Sequence, residues 1–118
     1  MSTILIIEQE FLIRHLLMKV LGRAGYRAQG VASRTEALAI LQTQPVHLIL
    51  SDWQQSDREN HALCQEIRQV SAAPILMLAS SSRKGELQHC LDLGVDEYIV
   101  KPFSLTEVRS RVRRLLTG

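Results

Sequence analysis

Short apolar runs alternate with segments of helical period along this chain, and that alternation restricts its fold more than any other feature. The runs are Ile4-Leu5-Ile6-Ile7, a weaker stretch at 27–31, then 47–51, 75–79 behind Pro74, and 96–100. Runs of this length set between helices read as buried parallel strands. In the first interval, Phe11, Leu12, Leu16, Leu17, Val20 and Leu21 recur at helical spacing and predict a helix over 10–23, closed by Gly22 and Gly25. Ser33 with Glu36 three residues on forms a capping box opening a second helix, whose apolar face is Ala37, Leu38, Ile40 and Leu41. Pro45 breaks that helix before the third strand. A third helix, 59–70, is expected to bury Leu63, Ile67 and Val70. The polar run 80–85 leads into a fourth, 85–93, with Gly94 at its C-cap. Ser104 with Glu107 opens the last. Five strands and five helices in strict alternation predict an α/β, doubly wound parallel sheet.

Three of the runs end on charge. The first is followed by Glu8, Leu48-Ile49-Leu50-Ser51 by Asp52, and Tyr98-Ile99-Val100 by Lys101. Ligands of open parallel sheets bind outside the carboxyl ends of the strands. Glu8, Asp52 and Lys101 are therefore expected to converge, with two carboxylates to hold a cation and one ammonium to meet an anion.

This constellation resembles the receiver domain of bacterial two-component response regulators. The likeness runs from Ile4-Leu5-Ile6-Ile7-Glu8 to the last helix and is most specific at Leu48 to Trp53, Gly94-Val95-Asp96-Glu97-Tyr98 and Ile99-Val100-Lys101-Pro102-Phe103. It implies a flavodoxin-like sheet of order 2-1-3-4-5 and a cis Lys101-Pro102 bond, a rare conformation that marks a specified turn. By the same resemblance Asp52 is the phosphoacceptor, Lys101 the partner of the phosphoryl group, and Glu8, Asp52 and the Gln54 backbone carbonyl the ligands of Mg2+. Residues 1–118 would be one receiver domain of a transcription regulator, with the output domain outside them. A histidine kinase would be the phosphoryl-supplying partner, and DNA would be met only through the output domain. Asp96, Glu97 and Arg111 match charge positions through which such receivers form homodimers by the fourth helix, fifth strand and fifth helix. The implied role is signalling and regulation of transcription rather than enzymatic turnover.

Several positions depart from the family pattern. Gln9 stands where a second acid is usual, and Ala79 where a Thr or Ser bonds the phosphoryl group and moves an aromatic, here Tyr98. In the loop after Asp52, Ser56 occupies a Pro position and Asn60 a Gly position; Leu87 replaces a basic residue at the dimer positions. Losing one acid is expected to weaken magnesium about 10- to 100-fold, by analogy with losses around metal sites. Alanine removes the hydroxyl that would couple pocket to surface. Ser80 is a poor substitute, because successive strand residues point to opposite faces. Glu10 lies one residue out of register and reads as an acid in the first turn of a helix. A phosphorylation-independent pseudo-receiver, acting as a protein-interaction module, is the alternative.

Size and composition exclude other classes. One hundred and eighteen residues make one domain, 46% hydrophobic, without an apolar stretch near the roughly 20 residues of a membrane span. Met1-Ser2-Thr3 offers no basic n-region, so a cytoplasmic module is expected. A net charge of +2 does not by itself predict nucleic-acid binding, and the arginines at 109, 111, 113 and 114 read as a solvated helix face. Cys64 and Cys90, 26 residues apart, read as two half-buried thiols, and His15, His47, His61 and His89 lack ligand spacing. A flavodoxin-like cofactor binder is a remote alternative. Ser80-Ser81-Ser82 is its only phosphate cradle, and Glu8-Gln9-Glu10 would repel phosphate.

Overall fold

Every residue of the first apolar run is buried, as a central strand of a parallel sheet covered on both faces must be. The computed structural model describes residues 1–53, 57–79, 88–89 and 91–117. Its elements are β1 (Thr3–Ile7), α1 (Phe11–Arg23), β2 (Arg27–Val31), α2 (Arg34–Thr43), β3 (Leu48–Trp53), α3 (Asp57–Val70), β4 (Ile75–Ala79), β5 (Glu97–Val100) and α4 (Leu105–Thr117). The five strands form one parallel sheet in the order β2-β1-β3-β4-β5. That is the flavodoxin-like order the resemblance implies. Among the described residues there are four helices; the expected fourth, over 85–93, is described only in part, with 88–89 and 91–92 helical.

Strand residues alternate between faces, and this alternation builds two cores. Ile4, Ile6, Leu48, Leu50, Leu76, Leu78 and Ile99 meet Leu17 and Leu21 of α1 and Val108 and Val112 of α4. On the other face Leu5, Ile7, Ile49, Ile75 and Met77 meet Ala37 and Leu41 of α2 and Cys64 and Ile67 of α3. Burying each such Leu or Ile stabilises by roughly 1.5–3 kcal/mol. The strands that position the candidate site are thus fixed from both sides.

Several local expectations change. In α1 only Leu17 and Leu21 are fully buried, while Leu12 is 73%, Phe11 59% and Leu16 47% exposed. Apolar residues so closely spaced cover more than one helix face, and only one face meets the sheet. Phe11 instead stacks on His15 at 4.1 Å and lies under Arg14. In α3, Cys64 joins Ile67 in the core at 1% exposure rather than half-buried, and Val70 turns outward. Cys90 lies outside the described residues. The third strand extends through Asp52 to Trp53, two residues past the apolar run.

Both capping boxes open helices as expected, with Ser33 accepting from the Glu36 N–H at 3.2 Å and Ser104 from the Glu107 N–H at 3.0 Å. The Lys101-Pro102 bond is cis, and Gly94 has the left-handed φ of 103° that suits a helix C-terminus. Gly30 on β2 lets α1 approach closely. A Cβ there would stand 2.5 Å from Met18 Sδ and 2.8 Å from Arg14 Cγ.

Candidate functional site

Parallel register brings the three charged strand ends together. Ile7 pairs with Ser51, Asp52 with Leu78 and Ala79 with Val100, so Glu8, Asp52 and Lys101 share one edge of the sheet. Glu8 follows β1, its N–H donating to the Val31 carbonyl at 3.0 Å, and only 1% of it is exposed. Its Oε1 accepts from the Glu10 N–H at 3.0 Å. The Asp52 side chain is 2% exposed, and its Oδ1 accepts from Lys101 Nζ at 2.6 Å. Lys101 is held by its own backbone, whose N–H donates to the Ala79 carbonyl at 2.8 Å.

Two buried oxygens, Glu8 Oε2 and Asp52 Oδ2, have no hydrogen-bond partner among the described residues. Burial pushes the Glu8 carboxyl up from 4.5 to about 7, and the neighbouring Asp52 carboxyl pushes the same way. The Glu10 N–H and Lys101 oppose the rise. Near neutral pH Glu8 therefore carries a proton in part of the molecules. Orphaned, hard oxygens of this kind also fit a magnesium ion, which takes one or two carboxylates and keeps waters for the rest. Only two carboxylates converge: the described residues contain no group of three or more His, Cys, Asp or Glu placed to hold a metal.

The departures from the family pattern have structural counterparts. Gln9 and Glu10 are exposed, and Glu10 is the N-cap of α1 without a side-chain capping bond. Ala79 is 5% exposed and offers a methyl group to the core, where Tyr98, half-buried, packs against the same cluster. Gln54, Ser56 and Ser80 lie outside the described residues.

The other candidates form a separate group along β5. Glu97 Oε1 receives Arg111 Nη1 at 2.7 Å and also pairs with Arg114. Asp96 accepts from the Ile75 N–H at 2.8 Å and from Arg68 at 3.2 Å. Arg68 also donates to the Ala73 and Gly94 carbonyls at 2.7 and 2.9 Å, which makes Asp96 part of a clamp on the approach to β5. Arg14 was not foreseen at the site. Its Nη1 donates to the Glu8 and Gln9 carbonyls at 2.9 and 3.3 Å and fixes the turn out of β1. Nothing in the sequence pattern separates it from any polar residue of an amphipathic helix.

The sequence profile of the response regulator receiver domain matches residues 4–113. The chain belongs to that family. It is 36% identical over 113 residues to a probable transcriptional regulator, ycf27, of Cyanophora paradoxa, covering 96% of this chain and 47% of the relative. It is 35% identical over 115 residues to the transcriptional regulatory protein ResD of Bacillus subtilis (strain 168), covering 98% and 48%. This receiver therefore spans about half the length of these curated relatives. Among solved structures, a two-component response regulator from Clostridium difficile superposes with a TM-score of 0.90 at 25% identity, covering 98% of this chain and 96% of the other. The Vibrio cholerae chemotaxis protein CheY4 does so with 0.88 at 27%, covering 98% and 99%. Receiver domains are signalling modules that work with histidine kinases and output domains and generally bind Mg2+ where they are phosphorylated. No helix among the described residues is long and apolar enough to cross a membrane.

Proposed function

We propose that this receiver takes a phosphoryl group on Asp52, in a pocket whose hold on magnesium is weakened and whose readout through Ala79 is reduced. The observation that carries the reading is the Asp52 carboxylate, buried yet paired at 2.6 Å with Lys101 and set beside Glu8. A buried carboxylate that keeps one oxygen unpartnered is a nucleophile with an unengaged lone pair. Its attack forms an Asp52 O–P bond as the bond from phosphorus to the donor's leaving group breaks. Lys101, 2.6 Å from Asp52 Oδ1, offsets negative charge on the transferring oxygens. Glu8, Asp52 and the Gln54 backbone carbonyl would hold a magnesium ion, which when bound neutralises charge on the same oxygens. Gln9 supplies no charge, so the metal competes less well with the proton that Glu8 holds near neutral pH.

A second reading is favoured by Ala79 and Gln9 together. With no hydroxyl to follow the phosphoryl group, phosphorylation has little means of moving Tyr98, and the domain then acts by protein contacts alone. In either case the molecule works as a signalling module without turnover. Its regulation of transcription runs through an output domain outside residues 1–118, and its homodimer forms around β5 and α4. The internal pairing of Glu97 with Arg111 supports a dimer that exchanges existing ion pairs rather than creating new ones. Acetyl phosphate with magnesium, followed by intact-mass measurement, tests the proposal. One added phosphoryl group, absent in Asp52→Asn, is the expected result; an unmodified wild-type protein at saturating donor leaves the phosphorylation-independent reading.

A further inference from the structure

The last helix carries four arginines, and the structure divides them. Arg111 and Arg114 both pair with Glu97 on β5, and Arg111 also lies 3.5 Å from Glu107. Arg109 and Arg113, one helical turn apart, lie instead on the flank nearer α1, where Arg23 from the last turn of α1 joins them. None of these three guanidiniums has an ion pair among the described residues. With Tyr26, Thr106 and Ser110 they line an open cleft of about 740 Å³, and no described residue that lines it has a carboxylate side chain.

This is an unusual placement of charge. Three positive groups gather here, while the whole chain carries +2. Like charges one turn apart on a helix oppose each other, and no acidic side chain among the described residues of the cleft offsets them. Two neighbouring arginines on the same helix are neutralised, so the surface is not uniformly basic. A guanidinium presents a planar fork that matches phosphate oxygens in pairs. One phosphate occupies one or two such forks; three, with hydroxyls alongside, suit a chain of phosphates. The volume falls within the roughly 300–1,000 Å³ of small-molecule sites, and a recess fits a compact ligand better than the convex surface of a duplex. Arg23 lies roughly 20 Å along α1 from the turn that holds Glu8, so the cleft is distinct from the acidic pocket.

We propose that the cleft between α1 and α4 binds a small polyphosphate, a molecule with two or more linked phosphates. Phosphate-chain chemistry is shared by nucleoside polyphosphates and inorganic chains, and the test separates them. Tripolyphosphate, ATP and inorganic phosphate are titrated calorimetrically into the protein with EDTA present, near 0.15 M salt, where the screening length is about 8 Å and diffuse attraction is largely suppressed. The expected result is saturable binding of tripolyphosphate and ATP, one per chain, with inorganic phosphate far weaker. Arg109→Ala and Arg113→Ala should each lose about tenfold or more, the scale of a charged hydrogen bond, and Arg109→Lys less. Arg34→Ala, which removes a cation paired with Glu66 and set on the other face of the sheet, should change affinity less than about twofold. Tighter binding of ATP than of tripolyphosphate identifies a nucleotide site, and equal binding a site for the chain alone; both support the proposal. Absence of saturable binding by either overturns it, as does a loss in Arg34→Ala equal to that in Arg109→Ala. A short DNA duplex that binds more tightly than both and displaces them also overturns it, in favour of a nucleic-acid surface.

Discussion

Replacing Glu8 by Gln should stabilise the metal-free protein, and only above the pH at which an unfolded glutamate ionises. The folded Glu8 titrates at about 7 against 4.5 for the free side chain. Below 4.5 the carboxyl is protonated in both states and the substitution changes little. Between 4.5 and about 7 the unfolded chain releases its proton first, so the native state binds more protons and stability falls as pH rises. Above about 7 both states are ionised and the whole cost is present. At about 1.4 kcal/mol per pH unit, the interval corresponds to ~3 kcal/mol, and relaxation around the site brings the expected gain to ~1–3 kcal/mol. Gln keeps the acceptor for the Glu10 N–H and adds an amide donor beside the orphaned Asp52 Oδ2. Urea denaturation with EDTA present, followed by circular dichroism at pH 4, 6 and 8, reads the difference. The gap between variant and wild type should open across that interval. Parallel pH profiles, or a less stable Glu8→Gln at pH 8, would refute the carboxyl-pair argument.

Further outcomes follow from the same geometry. Gln9→Asp restores a carboxylate at the lip of the pocket and should tighten magnesium about 10- to 100-fold in a calorimetric titration; unchanged affinity would place that side chain outside the metal's reach. Lys101→Met leaves the buried Asp52 carboxylate uncompensated. With Lys101 itself 21% exposed, the loss should be about 2–4 kcal/mol, somewhat below that of a wholly buried pair, and urea denaturation at pH 8 measures it. Ala79→Thr returns a hydroxyl to the end of β4 and should enlarge the amide shift changes around Tyr98 and Arg111 on adding beryllofluoride. Identical changes in both proteins would mean that coupling runs by another route.

Much of this architecture was legible because its signals are local and periodic. Uniformly apolar runs can be buried only between two helical layers, which leaves a parallel sheet, and acids or a lysine directly after those runs must lie at one edge. The capping serines were readable for a similar reason, since Ser33 and Ser104 satisfy N–H groups three residues away. Helix phase was less legible. Phe11, Leu12 and Leu16 satisfy the helical spacing as well as Leu17 and Leu21 do, and only the sheet decides which face is covered. Cys64 and Val70 exchanged expected places on α3 for the same reason. The site's long-range polar ties were not legible at all. Arg14 reaches back to the turn after β1, and Arg68 spans 28 positions to Asp96; these depend on where helices dock, which no spacing records. The division of the last helix's arginines likewise became visible only once Glu97 was seen beside Arg111 and Arg114.

The central claim is that Asp52 and its neighbours still form an acyl-phosphate pocket. Trp53, next to Asp52 in β3 and the single tryptophan of the chain, supplies the reporter. Its fluorescence should be followed while magnesium and then beryllofluoride are added to wild type and to Asp52→Asn. A saturable change in the millimolar magnesium range, completed by beryllofluoride and absent from Asp52→Asn, is the predicted result. A flat response in both proteins, with circular dichroism showing each still folded, would contradict it.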